Sequence, residues 1–69
     1  MGNFYNTDFA TIEEGFKKLR EAVSLRDKMS GAVYYGALEE DSLRIADHLS
    51  AMGADKKEIA QIGGWELRS

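Results

Sequence analysis

Phe9, Ile12, Phe16, Leu19 and Val23 follow one another at alternating steps of three and four residues. That rhythm stacks side chains along one side of an α-helix, so this part of the chain has an apolar stripe that must be covered. It predicts a first helix with Thr7 or Asp8 as N-cap, running to about Met29 and ended by Ser30-Gly31, with Lys28 in the last turn complementing the helix dipole. Glu13 with Lys17, Glu14 with Lys18, and Lys17 with Glu21 stand four residues apart and support its outer face. Gly15 lies inside the stripe and costs about 1 kcal/mol relative to Ala in a helix. Either a second helix approaches closely there, or an exposed glycine is tolerated.

A second rhythm runs through Tyr35, Leu38, Ser42, Ile45, Leu49 and Met52 and stops at Gly53. Val33-Tyr34-Tyr35 has strand propensity but no second strand to pair with, so it reads as the start of a second helix at Ala32. Gly36 and the Glu39-Glu40-Asp41 run leave a later start, near Asp41, open. Asp55 with Glu58 resembles a capping box ahead of Ile59, Ala60 and Ile62, and Gly63-Gly64 ends that short third helix. Residues 1–6 read as an arm and 66–69 as a short tail. The expected fold is all-α: a single helical domain in which two longer antiparallel helices and a short third one form a small bundle.

A chain of 69 residues is small. Domains of this size bury only about 60% of the surface their unfolded chain exposes, and they usually gain stability from disulfides, a metal or a partner chain. Cysteine is absent and there is one histidine, which removes disulfides, thiolate zinc sites and multi-histidine metal sites. Completion of the bundle by homo-oligomerisation is therefore expected, most simply as a dimer. Phe9, Ile12, Phe16, Leu19, Val23, Ile45 and Leu49 are the positions expected to pack the core or the oligomer contact.

Few side chains suggest chemistry. His48 has Arg44 and Met52 as its helical neighbours, and neither makes a proton relay, so it reads as a surface or boundary histidine. The Glu39-Glu40-Asp41 run lacks the spacing of a calcium loop and reads as a solvated helix start. Gly63-Gly64 lacks the glycine spacing and lysine of a phosphate loop. No enzyme activity, cofactor or metal is expected. Residues 1–30 carry five acids and five bases, and the rest carries seven acids against four bases, so the whole net charge of −3 lies in the second half. Such a balance disfavours non-specific binding to a phosphate backbone. No apolar run reaches the roughly 20 residues of a membrane span, and no secretory signal pattern opens the chain, so a cytoplasmic location is expected.

Two segments resemble known families. Glu58-Ile59-Ala60-Gln61-Ile62-Gly63-Gly64-Trp65 resembles the first helix and turn of a helix-turn-helix, which implies nucleic-acid binding through a following helix. Only Glu66 to Ser69 remain after it. Ile12-Glu13-Glu14-Gly15-Phe16, with Leu19, Ala22 and Val23, is similar to a helix of small phage proteins that sequester cyclic nucleotide signals, and departs at Glu21, where that family usually has a basic residue. That resemblance implies a small-molecule sponge with its site between subunits. Tyr34, Tyr35 and Trp65 do not fit one narrow stripe, so they either close the core or present a surface to a partner. The function expected from all this is a small non-enzymatic interaction module, a regulator or inhibitor of the phage or prophage kind, that binds another protein through Tyr34, Tyr35 or Trp65. The alternatives are nucleic-acid binding by Lys17, Lys18, Arg20 and Lys28, and the sponge.

Overall fold

A computed structural model describes residues 7–28 and 31–65. The arm over 1–6, the end of the first helix at Met29-Ser30 and the tail over 66–69 lie outside the described residues. The described chain is helical, with α1 over Ile12–Lys28, α2 over Ala32–Ala51 and α3 over Lys56–Gly63, and no strand among the described residues.

Thr11, rather than Thr7 or Asp8, opens α1. Its Oγ1 accepts from the Glu14 N–H at 3.1 Å, while Glu14 Oε1 accepts from the Ala10 N–H at 3.0 Å, so two amides at the helix start are satisfied by a reciprocal pair of side chains. Phe9 therefore precedes the helix that its spacing assigns it to. Its ring turns back onto the α1–α2 seam, beside Gly15 and 4.3 Å from the His48 ring, centroid to centroid.

The helices α1 and α2 are antiparallel. Near the start of α1, Gly15 faces Leu49 late in α2, and near its end Arg26 meets Glu39 early in α2. Gly15 marks a close approach: a Cβ built there would stand 2.6 Å from Leu49 Cδ2 and run into the Phe9 ring. The helix accepts the conformational cost of glycine at that point because a larger residue would push α1 and α2 apart. Between the two ends lies the buried core of Leu19, Ala22, Val23, Ile45, Ala46, Leu49 and Ile59, with Phe9, Ile12 and Phe16 partly buried against it.

The second helix begins at Ala32 and not near Asp41. Gly31 precedes it at φ 111°, with no side-chain cap and no acid in the first turn. The Glu39-Glu40-Asp41 run is consequently inside the helix, where successive residues point about 100° apart. The expectation of a solvated run fails at Asp41, which is 1% exposed because it lies on the same buried side as Leu38, Ser42 and Ile45. Beside it, Ser42 Oγ donates to the Leu38 carbonyl at 2.8 Å, so its hydroxyl is satisfied without water. Gly36, by contrast, is exposed, and a Cβ there would meet nothing within 4 Å. Gly36→Ala is expected to raise stability by about 0.5–1 kcal/mol through helix propensity alone, seen as a higher midpoint in a circular dichroism melt.

At Gly53 (φ 93°) the chain leaves α2, with the Ala54 N–H returning to the Leu49 carbonyl at 3.0 Å. Asp55 then caps α3, its Oδ1 accepting from the Lys57 N–H at 3.0 Å. Gly64 adopts the left-handed conformation at φ 74°, which bends the chain so that the Trp65 N–H reaches the Ala60 carbonyl at 2.9 Å. Among the described residues no helix is long and apolar enough to cross a membrane.

Candidate interaction surface

The end of the bundle where α1 stops and α2 starts gathers the polar chemistry. Arg26 lies seven residues after Leu19 and three after Val23, so the core-facing side of α1 delivers a guanidinium to the rim of the core. It is 6% exposed. Its Nη1 donates to Glu39 Oε1 at 2.5 Å and to the Gly63 carbonyl at 3.2 Å, and its Nε donates to Asp27 Oδ1 at 2.9 Å. The other oxygen of Glu39 accepts from Trp65 Nε1 at 2.9 Å. One side chain of α1 thus touches both α2 and α3, and one carboxylate of α2 joins it to Trp65.

Burial works against the Arg26 charge. The hydrogen bonds and charges of Asp27 and Glu39 outweigh it, so the guanidinium is held above its already high ordinary pKa. The described residues contain no buried side-chain nitrogen or oxygen that lacks a hydrogen-bond partner. The cluster is therefore a satisfied ion pair, whose burial is tolerable because its donors and acceptors are used.

Aromatic residues surround it. The Arg26 Cζ stands 5.3 Å from the centre of the Tyr35 ring, within cation–π range. Trp65 is partly buried, packs on the core and covers Gly63, where a Cβ would collide with the indole. Trp65 therefore contributes to closing the core. Tyr35 is 44% exposed, and Tyr34, one residue earlier on the same turn, is 50% exposed. Val33 is 78% exposed, the highest exposure among the large apolar side chains of the described residues. Tyr35 and Trp65 are thus brought to one cluster through Arg26 and Glu39.

The remaining candidates are dispersed. His48 is exposed and lies against Phe9, far along α2 from the aromatic end. Glu39 is turned to Arg26 and Trp65, whereas Glu40 pairs with Arg44 at 3.7 Å on the outer face. No group of three or more His, Asp or Glu among the described residues is placed to hold a metal ion. Lys17, Arg20 and Lys28 are exposed along α1, but Glu13, Glu14 and Glu21 are exposed on the same helix, which makes that face mixed in charge. Arg26 and Glu39 themselves are missed by the reading of motifs. The available signal was Arg26 standing in phase with the apolar stripe, where a charge needs a partner.

No family model, no curated protein and no solved structure matches this chain.

Proposed function

We propose that this chain is a small non-enzymatic interaction module, a regulator or inhibitor that acts in the cytoplasm by binding another protein through the first turn of α2. The observation that supports this reading is that Tyr34 and Tyr35, 50% and 44% exposed, stand on adjacent positions of that turn beside the bonded cluster of Arg26, Glu39 and Trp65. Exposed tyrosines supply large contact area with few rotatable bonds to immobilise on binding. The exposed Leu43, on the same helix, gives α2 a second apolar point that a further copy of the chain would cover in a dimer.

The test is affinity capture with the full chain, comparing it with Tyr34→Ala/Tyr35→Ala and with His48→Ala. One defined protein should be retained by the parent and by His48→Ala, and its retention should fall at least tenfold with the tyrosine pair removed. Equal retention by all three would exclude this surface. Light scattering on the same samples reads the oligomer: a dimer that Val33→Glu or Leu43→Glu converts to monomer supports self-association through α2, and a monomer at all concentrations removes it.

A further inference from the structure

We propose that α3 and Trp65 form a latch that opens from the α1–α2 hairpin as one unit, and that the Glu39 carboxylate, shared between Arg26 and Trp65, sets how often it opens. The helix α3 has eight residues. Isolated helices shorter than about 12–15 residues do not persist in water, so α3 is helical only while docked. Its seat consists of Ile59 and Ala60, both buried, with Ile62 and Trp65 partly buried. Hydrogen bonds from Arg26 to the Gly63 carbonyl and from Trp65 Nε1 to Glu39 fasten it to the hairpin. One ends on each member of the Arg26–Glu39 ion pair, so weakening that pair loosens both.

The hairpin keeps its own contacts when α3 leaves. Leu19, Val23, Ile45 and Leu49 interlock between α1 and α2, and Phe9 closes the far end over Gly15. The joint is short and glycine-bearing, with Gly53 at φ 93° and open space around it. Opening therefore breaks few contacts of the hairpin, the condition under which a segment unfolds separately from the rest. It would uncover the seat of Ile59 together with Arg26 and Glu39, beside Tyr35. This holds whatever the Tyr34–Tyr35 surface binds.

Native-state hydrogen exchange on the full chain, read by NMR, tests it. In the parent, the amides of Ile59, Ile62 and Trp65 should exchange at least tenfold faster than those of Leu19 and Leu49, after correction for intrinsic rates. Glu39→Gln, which keeps the shape but removes the charge, should accelerate the α3 amides about tenfold and those of Leu19 and Leu49 by the same factor, because the bonds it weakens are absent from the opened and the unfolded chain alike. Phe9→Leu, at the far end of the hairpin, weakens contacts that the opened chain keeps, so it should accelerate Leu19 and Leu49 and leave the α3 amides unchanged. Trp65→Phe is the milder second variant, since it keeps a ring over Gly63 and removes the N–H donor, and it should act in the same direction. Equal protection of all three helices in the parent would overturn the latch. So would acceleration of the α3 amides by Phe9→Leu, or no effect of Glu39→Gln on them.

Discussion

Leu49→Ala is expected to cost about 3–5 kcal/mol, measured as a fall in ΔG of unfolding by urea titration followed by circular dichroism. Leu49 is fully buried at a close approach of α1 and α2, where its Cδ2 occupies the space left by the missing side chain of Gly15. Truncation removes the apolar contact and leaves a gap that two helices already at close approach can fill only by tilting. Phe9, which precedes the helix rather than belonging to it, can follow inward. Its movement would bring the cost toward the lower end of the range. A chain of this length has about 3–10 kcal/mol of total stability, so the variant should be largely unfolded if the parent sits in the lower part of that range. Phe16, although it belongs to the same apolar stripe, is only partly buried and is a weaker point of attack.

The stripe that makes Phe16 and Leu49 visible is the part of the fold most legible in the sequence. Three-and-four spacing is a property of helical geometry, and Leu19, Val23, Ile45 and Leu49 are where that geometry places them. The stops at Gly53 and Gly63-Gly64 are equally readable, because left-handed backbone at Gly53 and Gly64 strongly favours glycine. Phe9 misleads for a physical reason. A residue just before a helix can fold its ring back over the same face, and spacing alone does not separate that from a further helical turn. Thr11 followed three places later by Glu14 was the discriminating signal, since a capping box identifies the first turn chemically and not by phase. Asp41 shows the opposite limit. Three neighbouring acids look alike in sequence, but on a helix they face three directions, and only the partner surface decides which is buried.

The same limit governs the candidate surface. Tyr34 and Tyr35 stood out by type, and their exposure follows from their place on the first turn of α2, where α1 is already ending. Arg26 and Glu39 lie thirteen residues apart on different helices, and no local pattern announces that they meet. Long-range pairing of this kind becomes visible only when the hairpin is closed. Comparing stripes could nevertheless have flagged Arg26, because a charge in phase with Leu19 and Val23 has to find its counter-charge inside the fold.

Arg26→Ala tests that pairing most directly, with an expected cost of about 2–3 kcal/mol in the same urea titration. Breaking a fully buried ion pair costs about 3–5 kcal/mol, because the surviving charge is left without compensation. Glu39 retains 28% side-chain exposure and can recover water on one side, which reduces the loss. The Gly63 carbonyl also loses its donor, and Tyr35 loses the cation over its ring. A guanidinium bonds Glu39 and Gly63 from one planar group, a geometry that the point charge of lysine does not reproduce. The raised pKa of Arg26 fixes the pH dependence: its stabilisation is fully present below the pKa of the unfolded chain and is lost only as pH climbs through the still higher folded value. Both lie in strong alkali, so the difference between Arg26→Ala and the parent should be constant across neutral and mildly alkaline pH. If Arg26 and Glu39 act as one joint, Arg26→Ala with Glu39→Gln should cost less than the sum of the single changes, because whichever is made first has already released the partner. Strict additivity would mean that the two side chains stabilise the bundle independently and that their contact is incidental.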